Sequence, residues 1–143
     1  MKILVSACLL GDNCKYNGGN NQNDELISLL KKHEVIKVCP EVMGGLSTPR
    51  LSSEIKNAKV INTDNIDVTE YFKIGAEKTL EIAKKNNIKY AILKSNSPSC
   101  GYGKIYDGSF SHTLIDGNGI TADLLSKNGI IILNENNYKK YLN

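Results

Sequence analysis

The stretch Lys2-Ile3-Leu4-Val5-Ser6-Ala7 decides the fold. Its apolar residues run together instead of alternating, as in a strand buried on both faces of a parallel sheet. Short runs of the same kind recur at Val35 to Val38, Tyr90 to Leu93 and Ile130 to Leu133, with a weaker one at Val60-Ile61. Helical patterns separate them. Asn23 or Asp24 caps a helix whose Leu26, Ile27, Leu29 and Leu30 share one face. Asp67 with Glu70 makes a capping-box-like start to a longer helix that buries Phe72, Ala76, Leu80 and Ala83 and ends at Asn86-Asn87. Ile120 to Lys127 reads as a helix stopped by Asn128-Gly129, and Tyr138 to Leu142 as a short closing helix. Strands alternating with helices predict an α/β fold, doubly wound and Rossmann-like, with a mainly parallel sheet. No repeat, linker or low-complexity tract interrupts it, so residues 1–143 read as one domain.

Two segments escape this scheme. Pro40 to Lys59 and Ser95 to Gly119 are long and lack helical periodicity, and long irregular segments in a compact domain are usually functional. Inside the second, Asp107-Gly108 between Lys104-Ile105-Tyr106 and Ser109-Phe110 predicts a small hairpin. All three prolines lie in these two segments.

Composition narrows the function. The chain has 143 residues, 41% of them hydrophobic, and a formal charge of +3, which excludes a disordered tail. The longest aliphatic run, Ile130 to Leu133, is far too short to span a membrane. Its lysines are scattered, with pairs such as Lys31-Lys32 and Lys84-Lys85 at expected helix ends, so a nucleic-acid partner is not expected. No export signal is visible, and a cytoplasmic location is expected. Of the 18 basic residues only Arg50 is an arginine, which suggests that a guanidinium fork is needed there.

The four cysteines, Cys8, Cys14, Cys39 and Cys100, contain no C-x-x-C pair, which argues against a zinc ribbon or a ferredoxin-type run. Cys8 directly follows the first strand, Cys39 directly follows the second, and Cys100 lies in the loop leaving the Tyr90 strand. Ligands in open parallel sheets bind beyond the carboxyl ends of the strands, so these three thiols should converge on one crevice. There they can hold a metal or a cluster, or, singly, serve as small buried hydrophobes. Cys14 follows no strand and could be a fourth ligand, a sulfur acceptor or a structural thiol. Glu41, in Cys39-Pro40-Glu41, is placed to act as a general acid or base, or is a solvated loop residue. Ser95, Ser97 and Ser99 could orient water or substrate, or form turns. Arg50 could clamp a planar ligand or a phosphate, or pair with Glu54. His33 reads as a helix-end residue and His112 as a polar loop residue, neither with ligand spacing. Gly44-Gly45 and Gly101-x-Gly103 form no nucleotide fingerprint.

Read together, Ser6-Ala7-Cys8-Leu9-Leu10-Gly11, Cys14-Lys15-Tyr16-Asn17-Gly18, Cys39-Pro40-Glu41, Gly44-Gly45-Leu46 and Thr48-Pro49-Arg50 resemble the thiouracil desulfidase family. The likeness continues in order through Asp67-Val68-Thr69, Gly75-Ala76, Leu93-Lys94, Ser97-Pro98-Ser99-Cys100-Gly101 and Ile105-Tyr106-Asp107-Gly108-Ser109-Phe110. Lys15 and Asn96 stand where arginine is expected, and Ser47 and Ser52 where proline is. The resemblance implies a 4Fe-4S cluster held by Cys8, Cys39 and Cys100, with one iron open and Cys14 not a ligand. An exposed iron of this kind is prone to oxidative loss on isolation in air. It further implies non-redox desulfuration of a thiolated uracil, with Glu41 and Ser97 acting on substrate and Arg50 and Lys94 binding it. A soft thiocarbonyl sulfur suits an open iron acting as Lewis acid, with Glu41 or Ser97 managing the proton of the attacking water. The rival readings are a relative acting on thiouridine in nucleotides or tRNA, a non-catalytic cluster or sulfur carrier, and a small nucleotide-binding module.

Overall fold

The computed structural model describes residues 1–142. In chain order its elements are β1 (Lys2–Ser6), α1 (Asp24–Leu30), β2 (Glu34–Val38), α2 (Pro40–Met43), β3 (Ser53–Lys56), β4 (Lys59–Asn62), α3 (Thr69–Lys85), β5 (Tyr90–Ile92), β6 (Lys104–Tyr106), β7 (Leu114–Asp116), α4 (Ile120–Lys127) and β8 (Ile131–Leu133). Turns of 3-10 helix follow β1 at Ala7–Leu10 and close the chain at Tyr138–Lys140.

Four of the strands make one parallel sheet in the order β2-β1-β5-β8. The register sets Ile3 beside Val35 and Tyr90, and Tyr90 beside Ile131. Successive residues of a strand face opposite sides, so the continuous run in β1 feeds two cores. Leu4 points with Ala91 and Ile132 into a cluster closed by Ala83 of α3 and Ala122 and Leu125 of α4. Ile3 and Val5 point the other way, toward Leu26 and Leu30 of α1 and Tyr138. Burying each such aliphatic side chain contributes roughly 1.5–3 kcal/mol, so a sheet covered on both sides suits the unbroken apolar runs. The α/β expectation and its mainly parallel sheet are therefore met.

Two expected features differ. Val60-Ile61 does not join the parallel sheet; it lies in β4, which pairs antiparallel with β3 around a turn at Asn57 and Ala58, both at positive φ. This hairpin rests on the start of α3, with Val60 packed against Val68 and Phe72. Pro40 to Lys59 is thus structured, holding α2 as well as β3. The second hairpin pairs β6 with β7, but Asp107-Gly108 is only the start of its loop, which runs through residue 113. Asp107 accepts from the Ser109 amide at 2.9 Å and so forms a local turn in place of a two-residue hairpin turn.

One close contact fixes α2, and with it the end of β2. A β-carbon at Gly75 of α3 would lie 2.0 Å from the Pro40 carbonyl oxygen, and one at Gly44 would lie 2.0 Å from the Tyr71 carbonyl oxygen. The two backbones touch, which only glycine at both crossing points permits. Gly75→Ala is expected to lower stability by about 1–3 kcal/mol in urea denaturation, as overpacking does. Ile74→Ala, on the exposed side of the same helix, should change it by less than about 0.5 kcal/mol. Equal effects would show that the crossing is not tight.

Candidate active site

Beyond the carboxyl ends of β1, β2 and β5 opens a cavity of about 330 Å³. Ser6, Ala7 and Cys8 enter it from β1, Val38 and Cys39 from β2, and Lys94 and Ser95 from β5. Cys100, Ser97, Glu41 and Arg50 line it too, so the sequence-derived candidates meet here, with the exception of Ser99. Cys14 joins them, making four thiols around one space.

Local structure explains each placement. Cys39 is the cap residue of α2, with Pro40 in the first helical position, where the missing N–H costs nothing. The Cys39 thiol donates to the Cys14 carbonyl at 3.7 Å, and its sulfur also lies beside the Cys14 thiol. That thiol contact is the largest influence and pulls the Cys39 thiol well below its ordinary value, while the same contact pushes Cys14 up. Cys8 heads the turn after β1, and Asn21 Nδ2 donates to its sulfur at 3.5 Å. Burial raises the Cys8 thiol. Cys100 sits in a tight turn where its amide donates to Ser97 Oγ at 2.7 Å. Burial pushes its thiol up to about 12, against a hydrogen bond from Ser6 Oγ at 3.5 Å. Ser99 is a structural residue: its hydroxyl meets Thr121 Oγ1 at 2.8 Å and ties the Cys100 turn to α4.

The sole arginine organises the carboxylate. Arg50 Nε donates to Glu41 Oε1 at 3.1 Å, Nη2 to the Cys14 carbonyl at 2.9 Å, and Nη1 to the Ser47 carbonyl and Thr48 Oγ1. The guanidinium side chain is 7% exposed and the Glu41 side chain 19%, so this is a buried ion pair. The expected partner Glu54 is instead committed elsewhere, accepting the Gly108 and Phe110 amides. Burial raises the Glu41 pKa, and the Arg50 charge opposes that rise. Lys94 is likewise engaged: its Nζ lies 2.8 Å from Glu135 Oε2. Glu135 also accepts the Ser95 amide and hydroxyl. Ser6, Asn21 and Glu135 were not singled out from sequence. Glu135 could have been, because it lies two residues beyond the end of β8.

Does this cavity suit a cluster? Among the described residues, no three His, Cys, Asp or Glu side chains gather closely enough to hold a single metal ion. Cys8, Cys39 and Cys100 instead ring the space: Cys39 raises the Cys8 thiol, and Cys8 and Cys39 both raise that of Cys100. Soft thiolates set around a volume match a cluster, whose irons occupy separate corners.

The sequence pattern of the 2-thiouracil desulfurase family matches residues 3–137. The chain belongs to that family. This 2-thiouracil desulfurase family member is 43% identical to the uncharacterized protein YbbK of Bacillus subtilis (strain 168), over 94% of this chain and 95% of the relative. Its structure is similar to that of the [4Fe-4S]-dependent thiouracil desulfidase TudS (DUF523Vcz), with a TM-score of 0.91 and 39% identity. That match covers 97% of this chain and 93% of the other.

The ion pair yields a test. Removing one partner of a buried pair leaves the other charge uncompensated, so Arg50→Gln is expected to cost about 3–5 kcal/mol near pH 7. That variant leaves the Glu41 pKa further above its unfolded value. The penalty therefore applies where Glu41 is ionised and shrinks as pH falls through the raised pKa. Arg50→Lys should recover little, lacking the fork that reaches Glu41 and Cys14 together. Denaturation curves near pH 7 and about pH 5 would check both; a pH-independent loss would contradict the ion-pair account.

Proposed function

We propose that this protein desulfurates a small thiolated uracil without net redox chemistry, exchanging thiocarbonyl for carbonyl and releasing hydrosulfide. One observation carries the reading: three strand-end cysteines and a buried, arginine-held glutamate meet at one cavity in a member of the 2-thiouracil desulfurase family. Cys8, Cys39 and Cys100 would hold a 4Fe-4S cluster, which when bound supplies an open, sulfur-seeking iron that polarises the C=S bond. Cys14 stays outside the ligand set and serves the site through its backbone, its carbonyl accepting from Arg50 and from the Cys39 thiol.

The other residues divide the work. Glu41 Oε1 is held by Arg50, which leaves Oε2 without a protein donor among the described residues. Through Oε2, Glu41 takes a proton from the attacking water and returns it to the departing sulfur. One water is consumed and one hydrogen sulfide released, so the exchange balances without an electron donor. Ser97 Oγ accepts the Cys100 amide and keeps its own hydrogen to donate to a pyrimidine oxygen. Arg50, its donors largely spent, serves substrate through Glu41, while Lys94 brings positive charge to the Cys8 side. The doubly wound, Rossmann-like assignment, the treatment of residues 1–143 as one domain and a cytoplasmic location belong to the same proposal. They are supported by the order β2-β1-β5-β8, whose direction reverses at β1 beside the site, and by four free thiols. Among the described residues no helix is long and apolar enough to cross a membrane.

Anaerobic reconstitution with iron and sulfide should load about four irons, and the loaded protein should release hydrosulfide from 2-thiouracil or 4-thiouracil. Cys8→Ala, Cys39→Ala and Cys100→Ala should each lose iron, whereas Cys14→Ala should keep it. Loss of iron in Cys14→Ala alone would overturn the ligand set. Glu41→Gln should keep its iron but lose about 10²–10⁴-fold in turnover, and undiminished turnover would remove Glu41 from the chemistry. As a base, Glu41 works only when deprotonated. Activity should therefore fall on the acid side, with a midpoint displaced above the ordinary glutamate value of about 4.3 by its raised pKa.

A further inference from the structure

Part of the cavity's lining comes from the hairpin β6–β7, and nothing in the reaction above uses it. Tyr106, at the end of β6, and His112, in the loop that follows, both line the cavity. Their rings meet edge to face, 6.0 Å between centroids and 82° between planes. Two rings at right angles make a corner that receives a flat heterocycle, its face on one ring and its edge toward the other.

The loop carrying His112 is held firmly. Glu54, buried beneath it, accepts the Gly108 amide at 3.0 Å and the Phe110 amide at 3.1 Å with the same oxygen. A β-carbon on Gly108 would come within 2.7 Å of Lys56 Cβ, so the loop lies directly on β3. Ser109, Ser111 and Thr113 link their hydroxyls in a row at 2.5 and 2.8 Å. His112 itself has φ 59, a left-handed backbone uncommon for a residue with a side chain. Its ring is exposed, and neither nitrogen bonds to protein among the described residues. Beyond its edge-to-face contact with Tyr106, the imidazole is left to meet a ligand in the cavity it lines.

We infer that Tyr106 and His112 form the wall on which the substrate's pyrimidine ring stacks, and that His112 is a specificity-determining residue for flat heterocyclic thiones. The inference rests on the desulfidase reading and deepens it by assigning the ring-binding subsite. Cysteines, Glu41 and Ser97 address the reacting C=S group; the aromatic corner addresses the rest of the molecule. Stacking holds substrate before and during reaction alike, so its loss weakens binding more than turnover.

The test uses the reconstituted holoenzyme. His112→Asn removes the ring but keeps a residue that tolerates the left-handed backbone. It should raise KM for thiouracil about tenfold, within the range that base–aromatic stacking supplies, with kcat changed less than about threefold. His112→Phe should restore most of the loss. The chain contains no tryptophan, so Tyr106→Trp supplies a single reporter at a strand position. Uracil should quench it saturably, whereas Tyr141→Trp, remote from the cavity, should not respond. An unchanged KM in His112→Asn, or an indole at position 106 indifferent to uracil, would overturn the inference. Saturable quenching of Tyr106→Trp, alongside a wild-type holoenzyme that releases no sulfide, would leave the ring-binding wall standing and refute the desulfidase reading instead.

Discussion

The site depends on one buried guanidinium. Arg50 reaches three parts of the chain at once: Glu41 on α2, the carbonyl of Cys14 in the loop after β1, and the Ser47-Thr48 turn that carries it. A lysine could satisfy one of these acceptors at a time; the planar fork satisfies them together. In an otherwise lysine-rich chain, this is the position where geometry and not charge decides the residue. The pair also sets the character of Glu41. Burial favours its neutral form and Arg50 favours its charged form, so the two oppose each other at the group proposed to move the proton.

Around that tie, the sheet and the helices determine where the sulfurs fall. Parallel strands end on the same side, so residues following β1, β2 and β5 meet without any local sequence motif joining them. The glycine contact between α2 and α3 fixes how the chain leaves β2 and therefore where Cys39 and Glu41 point. Burial raises Cys8 and Cys100 while the Cys14 contact lowers Cys39, so the three thiols differ in how readily they ionise. Thiolates are the form that binds iron, so in the proposed ligand set loading the cluster would release protons from Cys8 and Cys100.

Much of this was legible in the sequence, for physical reasons that also mark where legibility stopped. The runs at Ile3, Val35, Tyr90 and Ile130 declare a sheet covered on both faces, and the cysteines at their ends declare the crevice. The strand β3 was invisible because Ser53-Glu54-Ile55-Lys56 turns a glutamate inward. That carboxylate is satisfied by amides of the β6–β7 loop, more than fifty positions away, and no local periodicity records such a debt. Arg50 was open to pairing with Glu54 because the two are close in sequence. The fold sends Glu54 under the second hairpin and brings Glu41 to the guanidinium. Likewise Asp107-Gly108 resembles a hairpin turn, yet the Gly108 amide donates to Glu54 on β3 and the Asp107 carboxylate accepts the Ser109 amide. The family resemblance, drawn from motifs spread along the whole chain, supplied what periodicity could not.

The cavity is assembled from two kinds of architecture. Its floor of thiols grows from the ends of the parallel sheet, while its aromatic wall hangs from a hairpin whose outer strand, Leu114–Asp116, is exposed along its length. In evolutionary terms these parts are separable. Changes at the floor disturb strands that hold both cores, so they are constrained by folding itself. The loop from residue 107 to 113 touches neither core, and its contents can drift so long as Glu54 still finds two amides to bind. A lineage on this scaffold could therefore keep one desulfurating centre and exchange the heterocycle it admits, with the history of its substrates written in a single loop.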